Sequence, residues 1–426
     1  MLGLGLLGRG INVAKFLAQN GALLTITDLK TKDKLKSSLN ELKKYKINYV
    51  LGQHRLEDFR NCNMVIKAAG VPLDSPYIEE AHKNNIPVEM DASLFAKLAP
   101  RGVIIVGITG TRGKSTVTAL ITHILETAGE RVFIGGNVRG LATLPLLNSV
   151  KSGDYVVLEL DSWQLQGFRE AKISPHVAVF TNLMPDHMNY YKGDMDKYFS
   201  DKANIFLFQK TDDFLVAGNS LKEKIKRDAS FVGADDLPKN IKLIIEGEHN
   251  RSNAALAYEA VKFLGISAEI IKKALEDFTA VEGRLQYIGE KNGVKIYNDN
   301  NATTGEATVA ALKTLGKNKN IVLIIGGFDK GLNMSILFEN INKYCHAVVL
   351  LSGTGTEKIK PDIMKIEKLK IYENEKLEEC IKIAVKFSKK GDIILFSPAF
   401  ASYSQYFQNE YERNDLFMKE IKKCLV

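Results

Sequence analysis

Residues 103–119, VIIVGITGTRGKSTVTA, constrain the fold of this chain more than any other stretch. Residues 103–106 are a β-branched run that reads as a buried strand. Gly107, Gly110 and Gly113 follow. Lys114-Ser115-Thr116 then opens a segment with apolar residues at helical spacing: Val117, Leu120, Ile121 and Ile124. Strand, glycine-rich turn, Gly-Lys-Ser and helix together make a phosphate cradle. Glycines let backbone N–H groups approach an anion, and a helix N-terminus adds partial positive charge. In such a cradle Lys114 reaches the β- and γ-phosphates and the Ser115 hydroxyl suits Mg²⁺. The spacing departs from the usual rule, whose first glycine would fall on Ile108, with Gly107 one place early. The competing reading is a glycine-rich turn with a merely solvated lysine; the flanking strand and helix favour the cradle.

A chain of 426 residues is too long for one core, and about 150 residues per domain suggests three. Hydrophobic content of 45% with 25% charged residues is that of an ordinary globular protein. No apolar run reaches about 20 residues, so no membrane span is expected. Met1 leads almost directly into Gly3, so no signal peptide is expected. Cys62, Cys345, Cys380 and Cys424 lack metal-type or redox spacing and fit idle thiols in a reducing cytoplasm. The net charge of +8 permits nucleic-acid binding, yet no basic-aromatic motif supports it. Solvated lysine-rich helix faces and an anionic substrate account for it better.

The chain opens with Gly3-x-Gly5-x-x-Gly8 and an apolar-periodic helix, and residues 22–28 form a strand ending in Asp28. This is the dinucleotide-type βαβ opening, a diphosphate seat on a helix N-terminus. Only two residues precede Gly3, which leaves either a strand cut short or a start further upstream. Asp28, 20 residues past Gly8, suits a ribose contact or a surface loop equally. Further strands are read at 64–68 and 86–89, and this unit is expected to end near residue 98.

After the phosphate loop come strands at 133–137, ending Gly-Gly-Asn137, and at 155–160, carrying Glu159. An acid on a strand beside such a loop is a natural Mg²⁺ ligand, against the plainer reading of an edge-facing surface acid. The strand at 177–180 leads into Thr181-Asn182 and Asp186-His187, and Lys202 follows on a helix. His249, Asn250 and Asn253 share a helix face, where N-capping is the plain reading of Asn250. From residue 294, strands at 294–298, 321–325, 347–351 and 392–396 each end in small polar residues, with helices between. That pattern is a doubly wound parallel sheet whose loops aim at one ligand.

In sum these residues resemble the Mur ligases, and the resemblance runs from Gly3 to about Phe417. It rests on Gly110-Thr111-Arg112-Gly113-Lys114-Ser115, Gly135-Gly136-Asn137, Glu159, Thr181-Asn182, Asp186-His187 and Lys202. Gly247-x-His249-Asn250-x-x-Asn253, Arg284, Asn298-Asp299, Asp329-Lys330-Gly331 and Ser397-Pro398-Ala399 with Ser402 complete it. The first-domain fingerprint and the Ser-Pro-Ala…Ser ending point to the glutamate-adding branch. The resemblance implies an α/β protein of three domains. These are a Rossmann-like UDP-sugar domain at 1–98, a central P-loop ATPase domain with a mostly parallel sheet at 99–280, and a Rossmann-like amino-acid domain at 281–426. It implies ATP, UDP-N-acetylmuramoyl-L-alanine and glutamate as substrates, two Mg²⁺ sites, no nucleic-acid partner and a cytoplasmic monomer. The implied reaction is amide formation through an acyl phosphate.

Carried over residue by residue, Lys114, His187, Lys202 and Asp299 are the implied catalytic set. Gly110, Thr111, Arg112, Gly113, Ser115, Thr116, Asn250, Asn253 and Arg284 join Lys114 and Asp299 around ATP. Ser115 and Glu159 would hold one Mg²⁺ and His187 a second. Lys202 matches a lysine that CO₂ carbamylates in this family. Leu6, Leu7, Gly8, Asp28 and Asn137 would contact the UDP-sugar, and Thr303, Lys330, Ser402 and Tyr403 the amino acid. The chain departs from the family at Asn301, usually lysine, at Gly283, often histidine, at Leu7, usually Ser or Thr, and at Asn414, usually glycine. Asn301 leaves the identity and hand of the amino acid open, including L-glutamate. Other readings are a related Mur or folylpolyglutamate-type ligase, a silent nucleotide-binding protein, and a dinucleotide oxidoreductase. The last leaves the second phosphate loop unexplained.

Overall fold

Short parallel strands begin the computed structural model, which describes every residue except 7, 403–406, 408 and 426. β1 (Leu24–Asp28) pairs with β2 (Ile47–Leu51), and β3 (Val65–Ile66) with β4 (Val88–Glu89), both parallel. The expected first strand is reduced to a bridge. Leu2 donates its N–H to Ile66 O at 2.8 Å and accepts from Ala68 N at 2.9 Å; Gly3 N donates to Thr27 O at 2.8 Å. Leu2 is fully buried, so residues 1–3 hold the place between β1 and β3 that a strand would fill.

The chain divides into two compact units, Met1–Lys242 with Ser252–Glu276, and Leu243–Arg251 with Asp277–Val426. The first unit also holds a six-stranded, all-parallel sheet of β5 (Ile104–Thr109), β6 (Val132–Gly136), β7 (Tyr155–Glu159), β8 (Val177–Phe180), β9 (Phe214–Gly218) and β10 (Ser230–Val232). Its order is β10-β9-β8-β5-β7-β6. Every residue of β7 and β8 is buried, as expected for parallel strands covered on both faces.

The second unit has β11 (Gln286–Lys291), β12 (Val294–Asn298), β13 (Ile321–Gly326), β14 (Cys345–Leu351), β15 (Lys370–Asn374) and β16 (Ile393–Phe396), in the order β11-β12-β16-β13-β14-β15. Only β11 runs antiparallel to its neighbour among these strands. Strand alternation splits the core in two. Leu323, Ile325, Val348 and Leu395 pack with Leu312 and Ile341, while Val322, Ile324, Val349 and Phe396 pack with Ile381 and Phe417. The expected α/β architecture is therefore present, with the sheets' polar loops at their carboxyl edges.

Candidate active-site edges

Strand register assembles the first cluster. Ile108 of β5 pairs with Glu159 of β7, Thr109 with Phe180 of β8, and Gly136 of β6 with Glu159. Loops starting at Gly110, Asn137, Leu160 and Thr181 therefore leave one sheet edge together, the edge where open α/β sheets bind ligands. The helix Lys114–Thr127 starts there from Gly113, whose φ of 86° fits glycine. Gly110 has φ 139°, and a Cβ on it would strike the Thr181 hydroxyl. A Cβ on Gly113 would strike the Asn253 amide, so Asn253 lies against the loop.

The loop is tied to the segment after β8 on several sides. Thr181 Oγ1 donates to Arg112 O at 2.5 Å, Asn182 Oδ1 accepts from Arg112 N at 2.9 Å, and Thr111 N donates to Asn182 O at 2.9 Å. Arg112 Nη1 reaches Asp186 Oδ2 at 2.8 Å. Thr111 Oγ1 bridges to Met184, and Thr116 is buried in the helix's first turn. The resemblance gives Thr181, Asn182 and Asp186 no role of their own, yet all three hold the loop. Their signal was position: they follow the strand next to β5.

Lys114 Nζ donates to Gly110 O and Thr111 O, both at 3.1 Å, and Lys202 Nζ donates to the same Gly110 O at 2.8 Å. Lys202 is 2% exposed. Burial first, and the Lys114 charge second, hold its amine well below the usual lysine range, against the opposing pull of Asp161, Asp186 and Asp201. His187 heads the short helix Met188–Tyr191 with φ 56°, and its Nε2 is 4.0 Å from Asp186 Oδ2. Glu159 is buried at the end of β7.

Among the described residues no three His, Cys, Asp or Glu side chains cluster as a metal site. The residues named for Mg²⁺ are of another kind. Register sets the Glu159 carboxylate beside the strand that feeds the loop, and Ser115 lies in the helix's first turn. One carboxylate and one hydroxyl leave the other positions to phosphate and water oxygens, which is how Mg²⁺ is usually held. The donor set fits that ion.

The glycine loop at the N-terminus meets the same unit. Gly8, φ 84°, starts the helix Arg9–Gln19, and Arg9 Nη2 donates to Asn137 Oδ1 at 3.1 Å. Leu6 is exposed beside it. Asp28 accepts from Leu4 N at 2.9 Å, Gly5 N at 3.2 Å and Lys30 N at 2.9 Å, so its carboxylate holds the glycine loop in shape. Burial opposes its charge, but those N–H groups and the Lys30 ammonium together keep its carboxyl below the usual range. Leu7 and Tyr403 lie outside the described residues.

In the second unit, Asn250 donates Nδ2 to Glu246 O at 2.8 Å. Asp299 follows β12, accepting from Ser397 Oγ at 2.9 Å and Leu285 N at 3.0 Å. Burial pushes its carboxyl up to about 7, against the hydrogen bonds from Ser397 and Leu285 and the Arg284 charge. Lys330 Nζ donates to Thr303 Oγ1 at 3.1 Å. Phe328 and Ala401 exchange backbone hydrogen bonds at 2.9 and 3.1 Å, which joins the Lys330 loop to the loop of buried Ser402. Three of the four residues named for the amino acid thus share one loop cluster.

Three family models match the chain: the Mur ligase MurD-like N-terminal domain at residues 1–89, the Mur ligase middle domain at 108–235, and the Mur ligase glutamate ligase domain at 283–400. A UDP-N-acetylmuramoylalanine–D-glutamate ligase of Roseiflexus sp. is 32% identical over 99% of this chain and 97% of its own length. The chain belongs to the Mur ligase family. A Borreliella burgdorferi ligase of the same name is also 32% identical, over 97% of this Mur ligase and 95% of its own length. Among solved structures, the UDP-N-acetylmuramate–alanine ligase MurC of Thermotoga maritima matches with TM-score 0.62 at 20% identity, covering 99% of this chain and 98% of its own. MurF ligase from the same organism, in complex with ADP, matches with TM-score 0.62 at 19% identity over 96% and 97%. These two likenesses establish the fold.

Of the four positions that the resemblance marks as departures, Gly283, Asn301 and Asn414 lie together. Asn301 Nδ2 donates to Glu282 O at 3.3 Å, and Asn414 Nδ2 to Glu282 Oε1 at 2.8 Å. A Cβ on Gly283 would sit 3.0 Å from Asn301 Nδ2 and 3.2 Å from Asn414 Oδ1. Buried Arg413 completes the patch, donating to Asn300 Oδ1 at 2.8 Å and Asn300 O at 2.9 Å.

Proposed function

We propose that this Mur ligase joins D-glutamate to UDP-N-acetylmuramoyl-L-alanine with ATP, in building peptidoglycan precursors in the cytoplasm. The observation that carries the reading is 32% identity over nearly the whole chain to relatives named for that reaction. The arrangement of the phosphate loop suits it. A carboxylate is a poor acylating agent, so its oxygen first attacks the γ-phosphorus and ADP leaves. The glutamate amine then attacks the acyl carbon, inorganic phosphate departs, and the nitrogen loses its proton.

Each step brings anions together, so the loop's task is electrostatic. Gly110–Gly113 N–H groups and Lys114 bind the β- and γ-phosphates and offset charge as the phosphoryl group moves. Ser115 and Glu159 are the residues that would hold one Mg²⁺, with His187 at a second; the ion supplies charge neutralisation at the phosphate oxygens. Lys202, buried and held toward its neutral amine, is suited to add its lone pair to CO₂ and lose a proton, giving a carboxylate-like carbamate beside Gly110. Arg112, Thr116, Asn250, Asn253, Arg284 and Asp299 contact ATP. Leu6, Gly8, Asp28 and Asn137 take the UDP-sugar, Asp28 by shaping the glycine loop. Thr303, Lys330 and Ser402 take glutamate, with Lys330 pairing a carboxylate. The chain works as a monomer of three domains, 1–98, 99–280 and 281–426.

The test is phosphate release by the full chain with ATP, Mg²⁺, UDP-N-acetylmuramoyl-L-alanine and a panel of amino acids including both glutamate enantiomers. D-Glutamate is the expected acceptor. Turnover with another amino acid alone would reassign the specificity, and none with any acceptor would overturn the ligase reading. Asn301, whose amide is already engaged, favours running L-glutamate as the second candidate.

A further inference from the structure

Asp329 and Gly331 flank Lys330 in the motif that the resemblance marks, yet the mechanism above gives neither of them a task. Both lie on the loop after β13. Gly326, the last residue of β13, pairs with Leu351, the last of β14, so the loops after these two strands leave one sheet edge side by side. The loop after β14 runs straight into the helix Thr354–Ile363. Thr354 and Lys358 stand four residues apart on that helix and share a face. Both reach the Asp329 loop.

Gly355 N donates to Gly327 O at 2.8 Å, and Asp329 N donates to Thr354 Oγ1 at 3.1 Å. Lys358 Nζ donates to Asp329 Oδ1 and Oδ2, both at 3.1 Å, and to Leu332 O at 2.9 Å. An ammonium has three N–H groups, and three acceptors surround this one. Asp329 Oδ1 also accepts from Gly331 N at 3.0 Å, which closes a tight turn around Lys330, with Gly331 at φ 74°. One ammonium thus ties the loop on both sides of Lys330, whose own Nζ reaches Thr303 Oγ1 at 3.1 Å.

The Lys358 side chain is 38% exposed and that of Asp329 26%, and ion pairs so exposed add little to folding stability. The effect of this one is on aim. A loop displaced by an ångström no longer sets its cation against a substrate carboxylate. Lys358 also offsets the charge of Asp329, which would otherwise repel an anionic amino acid arriving beside it. We propose that Lys358 is a positioning residue for Lys330, acting through Asp329, and that the clamp holds the Lys330 ammonium where it meets a carboxylate of the incoming amino acid. The proposal rests on the reading of Lys330 given above.

Steady-state phosphate release by the full chain, with D-glutamate and ATP varied in turn, tests it. Lys358→Met keeps the reach of the side chain and removes its charge. It is expected to raise KM for D-glutamate about tenfold and to leave KM for ATP within about twofold of wild type. Its melting temperature is expected to stay within about 3 °C. Lys358→Arg keeps the charge and the donors, and its KM for D-glutamate is expected within about threefold of wild type. Asp329→Asn still accepts from Gly331 N but loses the charge that Lys358 pairs, so the same KM is expected to rise. The double variant Asp329→Asn with Lys358→Met is expected to be no worse than the weaker single variant, because one clamp is broken in each case. An unchanged KM for D-glutamate in Lys358→Met, equal rises in both KM values, or losses that add in the double variant would each overturn the proposal. If Lys358→Met does not fold, an unchanged KM for D-glutamate in Asp329→Asn overturns it. Lys330→Ala keeps the underlying reading separate: an unchanged KM for D-glutamate in that variant would overturn the assignment of Lys330 itself, and no turnover by the wild-type chain would overturn the ligase reading.

Discussion

Two lysine side chains, 88 residues apart in sequence, donate to one carbonyl oxygen, that of Gly110. Two ammonium groups at that separation repel, and Lys202, the more buried, is the one whose proton is weakened. A carbamate there would restore a negative charge where the sheet edge gathers cations and phosphates. Lys202→Ala should therefore lose nearly all phosphate release, and added formate or acetate should restore part of it by placing a carboxylate in the vacated space. A variant that short carboxylic acids leave inactive would argue against the carbamate. Asp299 gives a different residue-scale expectation. Its carboxyl is raised to about 7, so the folded chain keeps a proton that the unfolded chain has lost. The unfolded state then binds fewer protons between about pH 4 and 7, and stability falls as pH rises through that window. The loss is on the order of 4 kcal/mol and levels off above about pH 7. Asp299→Asn can accept from Leu285 N and donate to Ser397 Oγ, so it should fold and lack this slope. Melting temperatures of both proteins from pH 4 to 8 check it; parallel curves would contradict it.

At the scale of elements, the phosphate loop and the segment after β8 behave as one piece. Asn182 matters most, because its side chain accepts from Arg112 N at 2.9 Å and donates to Arg112 O at 3.1 Å. Asn182→Ala leaves the Arg112 N–H without that acceptor, a cost of about 1–3 kcal/mol. It should raise KM for ATP more than it lowers kcat, because the cradle loosens while Lys114 and Ser115 remain. Equal losses in both would mean that Asn182 acts on the reacting groups themselves. Asn301→Lys, which inserts the family's usual residue, should destabilise the second unit rather than improve it. The Asn301 amide packs against Gly283, donates to Glu282 O and accepts from Asn300 Nδ2 at 3.1 Å, and a lysine has no acceptor with which to repeat the last contact. A higher melting temperature in that variant would refute the point. These elements also mark what the sequence made legible. The readings of β12 and β13 fall within one residue of their bounds, whereas β5 is read as 103–106 and runs Ile104–Thr109, because Gly107 interrupts its β-branched run. β2, β9, β10, β11 and β15 are missing from the sequence reading; four of the five lie at sheet edges, where half-exposed residues blur the apolar signal, whereas β9 is interior and buried, and edge exposure does not account for its absence. The Thr181–Asp186 ties were invisible because they depend on β5–β8 register, which only tertiary pairing sets.

The whole molecule carries a net charge of +8, spread over helix faces as well as the loop edges. All the substrates proposed for it are anions, and a field of this sign raises their local concentration before any specific contact forms. That contribution is long-ranged and is screened once the Debye length falls from about 10 Å at 0.1 M salt to about 3 Å at 1 M. The contacts at the loop are short and partly buried, so salt weakens them far less. The two effects therefore separate kinetically. KM for ATP and for the nucleotide-linked muramoyl substrate should rise several-fold, roughly threefold to tenfold, between about 0.05 and 0.5 M potassium chloride. Over the same range kcat should change little, because it reports the bound complex. Steady-state phosphate release across a salt series, at fixed free Mg²⁺, measures both. If kcat fell while KM stayed level, salt would be acting inside the loop itself, on Lys114 or the Arg112–Asp186 pair, and the molecule's overall charge would have no part in substrate capture.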